Sequence, residues 1–176
     1  VDVGEQPGAL PLLQFALTEL YERRDGRWLT TQAYNDIGGV SGALARRADE
    51  LYDNLDETAQ KAAHQLFLRL VTLNEGAEDT RRRARMDELL SLRGGERVMQ
   101  EVIDLFGKYR LLTFDRDPAT RTPTVEVAHE ALIRQWQRLR GWLQTDRESL
   151  RIQRRLTSAA DEWLNASKDP SYLASG

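Results

Sequence analysis

The chain has 176 residues, of which 40% are hydrophobic and 30% are charged, and its net charge is −3. This length can bury a core, and the composition is typical of a folded, mainly helical protein. The absence of cysteine excludes disulfides and thiolate metal sites, and only two histidines are available for any other metal site, so no metal centre is expected. Without an apolar run long enough to span a bilayer or a signal peptide, the expected location is the cytoplasm.

The first 55 residues predict a small helical bundle. Leucines recur at helical spacing after Gly8-Ala9-Leu10-Pro11, and Arg23-Arg24-Asp25-Gly26 ends this pattern. Pro11 is tolerated at a helix start because the first amides of a helix have no internal partner. Three helices are expected, at residues 10–21, 31–38 and 40–55.

The order of elements in residues 56–128 predicts a winged helix-turn-helix. Asp56 is a suitable cap for a helix whose buried stripe runs from Ala63 to Val71. The elements expected after it are a loop at 76–79, a strand at 80–85, a short helix at 86–92, a helix at 96–109 and a hairpin of strands 111–114 and 124–128. Helix, short strand, helix, helix and hairpin is the order of that motif.

Residues 129–176 predict a C-terminal helical extension. Leu132, Trp136 and Leu139 keep helical spacing, a break is expected near Thr145-Asp146, and a second helix then runs to Asp169-Pro170-Ser171. The predicted fold class is therefore mostly α. Its three parts are a helical domain at 1–55, a winged-helix domain with a short hairpin at 56–128, and C-terminal helices at 129–176.

Two histidines are the candidates for chemistry. His129 stands where the extended stretch Val125–Ala128 passes into an amphipathic helix. An imidazole at that junction can face a phosphate, because it donates a hydrogen bond when neutral and adds charge when protonated. The alternative is a packed or solvated histidine without a ligand. His64 is expected at the surface or core edge, because nothing near it forms a second ligand or a base.

Arg81, Arg82 and Arg83, with Arg85, form the densest positive cluster. Alternate side chains of a strand point to opposite faces, so at most half of these arginines can face one partner. They can bind phosphate, dock another domain, or form solvated ion pairs with Glu78 and Asp79. No arginine finger can be assigned from this run.

Several motifs together resemble a known family. Gly8-Ala9-Leu10-Pro11-Leu12-Leu13 and Val127-Ala128-His129-Glu130-Ala131-Leu132 resemble the second half of the ATPase core of the STAND class, signalling relatives of AAA+ proteins. Three further segments resemble its bacterial branch that is often fused to WD-repeat propellers: Gly39–Ala48, Glu78–Arg83 and Asp169–Leu173. The resemblance spans nearly the whole chain, and its short motifs are specific through their order and spacing.

The resemblance implies roles for two residues. In that class the proline of a Gly-x-Pro motif packs on the adenine, and the histidine of a Met-His-Asp type motif faces the β-phosphate of ADP. Pro11 matches in the looser form Gly-x-x-Pro, and His129 is kept within Ala128-His129-Glu130, where both flanks differ. The implied function is nucleotide-state sensing. The segment would hold the protein in a closed state with ADP and drive its oligomerisation when ADP is exchanged for ATP. The alternative for Pro11 is that it only marks the start of a helix and contacts no ligand.

The implied cofactor is ADP or ATP with Mg, bound in the full-length protein mainly by an upstream P-loop domain of the same chain. No Gly-x-x-x-x-Gly-Lys-Ser/Thr motif occurs here, so we expect no catalytic residue and no tightly bound nucleotide in this segment alone. A downstream repeat domain and a homo-oligomer in the active state are the other implied partners, and no membrane contact is expected.

Winged helices also occur in DNA-binding proteins, so a DNA-binding transcriptional regulator is the competing function. Residues 80–176 carry 18 basic and 14 acidic side chains, whereas residues 1–79 carry 7 and 14. However, the helix that would enter the major groove presents Glu96, Glu101 and Asp104 against Arg97 and Lys108, and carboxylates repel phosphates. Nucleic acid is therefore disfavoured. The seven arginines between residues 134 and 155 form either a basic face or a solvated helix surface.

Overall fold

The computed structural model describes residues 9–74, 78–92 and 95–165, which are mostly helical with two small antiparallel sheets. The helices in these ranges are α1 (Ala9–Glu22), α2 (Thr31–Asp36), α3 (Gly39–Asp53), α4 (Glu57–Arg69), α5 (Met86–Leu90), α6 (Glu96–Lys108), α7 (Ala131–Gln135) and α8 (Gln137–Asn165). The strands are β1 (Val71–Thr72), β2 (Thr80–Arg81), β3 (Ala84–Arg85), β4 (Leu112–Arg116) and β5 (Pro123–Val127).

The three helices predicted near the N-terminus are confirmed. Helix α1 packs along α3, and it buries Phe15 and Leu20 in the core that these helices share. The Thr30 hydroxyl accepts a hydrogen bond from the Ala33 amide at 3.1 Å and so caps α2. Gly38 joins α2 to α3 with φ of 79°, a left-handed backbone that an L side chain rarely adopts.

Helix α4 begins and packs as predicted but ends earlier. The Asp56 carboxylate caps it by accepting a hydrogen bond from the Ala59 amide at 2.8 Å. Phe67 lies edge-on against Phe106 of α6, with ring centroids 5.0 Å apart. The predicted stripe extended to Val71, but the helix ends at Arg69 and Val71 pairs with Arg81 in the β1–β2 sheet.

The single strand predicted for residues 80–85 is wrong, because these residues form two strands in different sheets. β2 pairs with β1, whereas β3 joins the second sheet, whose order is β3-β5-β4. Arg82 lies between β2 and β3, and its amide donates to the Leu70 carbonyl at 2.8 Å. After this contact the chain leaves β1 and then pairs with β5. The β4–β5 hairpin is confirmed, with a register from Leu112↔Val127 to Arg116↔Pro123.

The helix break predicted near Thr145-Asp146 is also wrong. Helix α8 runs through both residues, and the break lies at Trp136, whose ψ of 99° is extended. Within this helix the Thr145 hydroxyl donates to the Gly141 carbonyl at 3.0 Å, so the polar side chain is satisfied without a break in the helix. The predicted stop at Asp169-Pro170-Ser171 lies outside the described residues.

One hydrophobic cluster links the described segments. It includes buried side chains from Phe15 of α1 to Leu143 of α8, and Trp136 is fully buried within it. The Trp136 ring is edge-on to Phe67 at 4.9 Å and to Trp142 at 5.2 Å. Residues from all three predicted domains thus share a core, while the boundaries 1–55, 56–128 and 129–176 stay a prediction. No helix in the described ranges is long and apolar enough to cross a membrane.

Candidate functional site

His129 lies at the junction of β5 and α7, where it contacts helix α1. Its half-buried ring is edge-on to Phe15, with centroids 6.1 Å apart and planes inclined by 67°. Its carbonyl accepts a hydrogen bond from the Leu132 amide at 2.9 Å, which starts the first turn of α7. The imidazole is therefore fixed between the end of the β4–β5 hairpin and the N-terminal helix.

Pro11 lies in the exposed first turn of α1. It precedes Phe15 by four residues, so the two side chains share one face of the helix. The two residues predicted to sense nucleotide therefore belong to elements that meet through Phe15. Gly8, the first residue of the Gly-x-x-Pro motif, lies outside the described residues.

Arg81 joins this site from strand β2. Its guanidinium donates to the carbonyls of Val127 and Ala128, each at 3.3 Å, immediately before His129. Arg81 is exposed, and among the described residues no carboxylate lies within ion-pair distance of its side chain. The sequence predicted both residues as candidates but gave no sign that they are neighbours.

Arg82 and Arg83 are already paired within the protein. Arg82 makes a bidentate ion pair with Glu88, at 2.9 and 3.0 Å. Arg83 lies 3.6 Å from Asp115 and 3.8 Å from Glu126. Of the three arginines predicted to contact phosphate or another domain, Arg81 keeps its charge most available for a ligand.

The acids Glu78 and Asp79 pair with α7 and α8 instead of with the nearby arginines. Glu78 accepts a hydrogen bond from Arg134 at 2.9 Å, and Asp79 accepts one from Arg147 at 3.0 Å. These contacts hold the segment before β2 against the C-terminal helices.

The electrostatic setting of His129 suits a neutral imidazole. Burial, and then the positive charge of Arg81, lower the pKa of His129 below its ordinary value. A neutral ring keeps one N–H donor, and Arg81 adds fixed positive charge beside it. An anion at this edge would interact favourably with both groups and raise the imidazole pKa again, so the residues present fit a phosphate.

We expect acidification to destabilise the protein through His129. Because the pKa is lowered in the folded state, the unfolded chain binds the proton more readily, and stability falls as the pH drops through about 6.5. Urea unfolding at several pH values should show a flatter profile for His129→Gln than for the wild type. The matched control is His64→Gln, which should keep the His129 component. Identical profiles for His129→Gln and the wild type would contradict the assignment.

His64 lies at the core edge, as predicted, but it has an acidic partner that the prediction missed. Its Nε2 lies 3.2 Å from Asp146 Oδ2, and its ring is edge-on to Trp142 at 4.7 Å. This partner comes from α8, far along the chain, so no local pattern could reveal it. In the described part of the chain, no three acidic, histidine or cysteine side chains are placed to hold a metal ion.

A polar cluster on α3 and α8, which we call the α3–α8 joint, fixes the end of α7. It consists of Asp49, Asp53, Trp136 and Arg138. Asp49 accepts hydrogen bonds from the Trp136 indole at 2.8 Å and from Arg138 at 3.0 Å, and Arg138 also donates to Asp53 at 2.8 Å. No local sequence pattern indicates this cluster, because Asp49 lies far along the chain from Trp136 and Arg138. The joint anchors the helix that follows His129.

Comparison with protein families matches residues 1–171 to the family described as Novel STAND NTPase 1. The match covers nearly the whole chain and includes Pro11, Arg81 and His129. Searches of curated proteins and of solved structures gave no match.

Proposed function

The chain belongs to the Novel STAND NTPase 1 family, and we propose that it is the nucleotide-state-sensing segment of a STAND signalling ATPase. The observation that carries the proposal is the contact between His129 and Phe15. It joins the candidate phosphate-sensing residue to the helix that bears Pro11. A change at the nucleotide would therefore act directly on how these two segments fit together.

The architecture supports a winged-helix assignment within this proposal. Helix α4, strand β3, helices α5 and α6 and the β4–β5 hairpin come in this chain order, which is that of a winged helix-turn-helix with the hairpin as the wing. Helices α1 to α3 form the lid that carries Pro11. His129 then lies where the winged helix ends, beside the lid.

Three residues have different roles in nucleotide sensing. His129 donates a hydrogen bond to the β-phosphate of ADP, Arg81 adds positive charge next to it, and Pro11 offers the adenine a flat surface without a competing N–H donor. An upstream P-loop domain of the same chain supplies most of the nucleotide contacts and the Mg site.

The switch depends on the difference between two nucleotide states. With diphosphate, His129 holds the lid and the winged helix in a closed arrangement. Exchange for triphosphate removes this contact, and the released segments expose surfaces for oligomerisation. The coupling cannot exceed the difference in contact free energy between the two states.

The test is nucleotide binding by the full-length protein. His129→Ala should weaken ADP binding about 10- to 100-fold, because a hydrogen bond to a charged group contributes about 1.5–3 kcal/mol. Arg81→Gln should weaken it in the same direction. Isothermal titration calorimetry measures both, and His64→Ala is the control because His64 pairs with Asp146 away from Phe15. Unchanged ADP affinity and assembly state in His129→Ala would remove His129 from the mechanism.

The ion pairs of α7 and α8 favour this function over DNA binding. Arg134, Arg138 and Arg147 are paired with carboxylates, so fewer arginines are available for phosphates than the sequence indicates. At the wing tip, Asp115 and Asp117 lie close in sequence to Arg116 and Arg121, so this segment has no excess of positive charge. Tight binding to DNA with a steep salt dependence would favour the transcriptional regulator instead.

A further inference from the structure

The residues just before Arg81 attach strand β2 to helix α8. Asp79 accepts a hydrogen bond from Arg147 of this helix at 3.0 Å. Two residues later, the Arg81 guanidinium donates to the two carbonyls that precede His129. The short stretch 79–81 therefore contacts both α8 and the candidate site at His129.

The Asp79 carboxylate is the better shielded of the two acidic groups before β2. Its Oδ2 accepts from Arg147, and its Oδ1 accepts from the Asn74 amide at 3.0 Å. The Asp79 side chain is 15% exposed, whereas the side chain of Glu78, which pairs with Arg134, is 73% exposed. Solvent screens an exposed ion pair, so such a pair contributes little to holding the chain in place. Asp79 is therefore the stronger of the two attachments.

Strand β2 depends on contacts of this kind. The β1–β2 sheet consists of two residue pairs, Val71↔Arg81 and Thr72↔Thr80. A two-stranded hairpin is only marginally stable in water by itself, so contacts outside the sheet must help to fix the position of β2. Asp79 precedes Arg81 by two residues, about 7 Å along an extended chain. A displacement of Asp79 is therefore passed on to Arg81.

We propose that Asp79 is a positioning residue for the candidate site. Its pair with Arg147 fixes β2 against α8, and β2 in turn holds Arg81 beside His129. This path gives α8 a means of regulating the site, because a displacement of the helix would move Asp79 and then Arg81. The effect on nucleotide rests on the proposed function, whereas the link from Asp79 to His129 does not.

The titration of His129 reports the position of Arg81. Burial, and then the positive charge of Arg81, lower the pKa of His129. When Asp79→Asn lets Arg81 move away, the second of these causes weakens, so the pKa of His129 should rise. The direct effect of the lost carboxylate has the opposite sign, because removal of a nearby negative charge lowers the pKa of a histidine. A rise therefore distinguishes positioning from a direct charge effect.

A nuclear magnetic resonance titration of this chain without nucleotide measures the effect. The chain has two histidines, so His129→Gln identifies the signal of His129. We expect the pKa of His129 to rise in Asp79→Asn, by no more than in Arg81→Gln, which removes the positive charge outright. Glu78→Gln is the matched control, because it removes the neighbouring carboxylate, and it should not raise the pKa. No rise in Asp79→Asn, or an equal rise in Glu78→Gln, overturns the proposal.

Variants of Arg147 test the same pair from the side of α8 and decide the question if Asp79→Asn does not fold. Arg147→Met should raise the pKa of His129, whereas Arg147→Lys keeps the charge and should leave the pKa close to that of the wild type. Arg140→Met removes an equal charge from the same helix but leaves the pair with Asp79, so it should raise the pKa less. A rise in Arg140→Met as large as that in Arg147→Met overturns the positioning role.

ADP binding by the full-length protein separates this proposal from the proposed function. Asp79→Asn should weaken ADP binding in the same direction as Arg81→Gln and by a smaller factor. If His129→Ala leaves the ADP affinity unchanged while Asp79→Asn raises the pKa of His129, the proposed function fails and the positioning role stands. If His129→Ala weakens ADP binding but Asp79→Asn changes neither the pKa nor the affinity, the positioning role fails and the proposed function stands.

Discussion

Trp136→Ala is expected to lower the free energy of unfolding by about 3–5 kcal/mol, the range for removing a large aromatic side chain from a core. The indole is fully buried, and its ring contacts Phe67 and Trp142 edge-on. Truncation leaves a cavity at the centre of the cluster that joins α4, α7 and α8. Urea denaturation measures the loss.

One further variant separates packing from hydrogen bonding at Trp136, and a second serves as the control. Trp136→Phe keeps much of the volume but removes the N–H that donates to Asp49, so we expect a smaller loss, of about 1–3 kcal/mol. Trp28→Ala is the matched control, because Trp28 is 67% exposed and should change stability by no more than about 0.5 kcal/mol. A loss for Trp136→Ala as small as that control would contradict the central role of this indole.

Trp136 also links stability to the candidate site. It ends α7, the helix that His129 precedes, and it anchors that helix to Asp49 of α3. Loss of the α3–α8 joint should therefore loosen the placement of His129 against Phe15. In the full-length protein, a variant at Asp49 that remains folded would then resemble a His129 variant, although Asp49 does not contact the imidazole.

Much of the helical structure could be predicted because its signals are local. The Asp56 cap, the leucine spacing of α1 and the stripe of α4 each depend on residues within a few turns of one another. The β4–β5 hairpin was predictable for the same reason, since its strands are separated only by the polar loop at residues 117–122. His129 and Arg81 were recognisable as candidates from residue type and position.

What the sequence could not reveal depends on partners far along the chain. The segment at residues 80–85 is divided because its first two residues pair with β1, whereas Ala84 and Arg85 pair with β5. The helix breaks at Trp136, whose indole donates to Asp49 of α3, and this distant partner is not visible in the local sequence pattern. The proximity of Arg81 to His129 likewise follows from tertiary packing.

Arg47→Met is expected to destabilise the protein by about 3–5 kcal/mol, because it leaves a buried carboxylate without its cation. Glu19 is only 5% exposed, and Arg47 contacts it at 2.6 and 2.9 Å. Arg47 also pairs with Glu22 and Glu50. Burial alone would lower the pKa of Arg47, but Glu19 and the other two carboxylates outweigh burial and raise it above its ordinary value.

Chemical denaturation of three variants would establish that the loss comes from the unpaired Glu19. The neighbouring Arg46→Met is the matched control, since Arg46 is half exposed and makes an i,i+4 pair with Glu50, so it should cost no more than about 0.5 kcal/mol. The double variant Glu19→Gln/Arg47→Met should recover part of the stability, because no buried charge then remains. If the double variant were as unstable as Arg47→Met alone, the loss would instead come from the packing of Arg47 over the Tyr109 ring, 5.0 Å from its centroid.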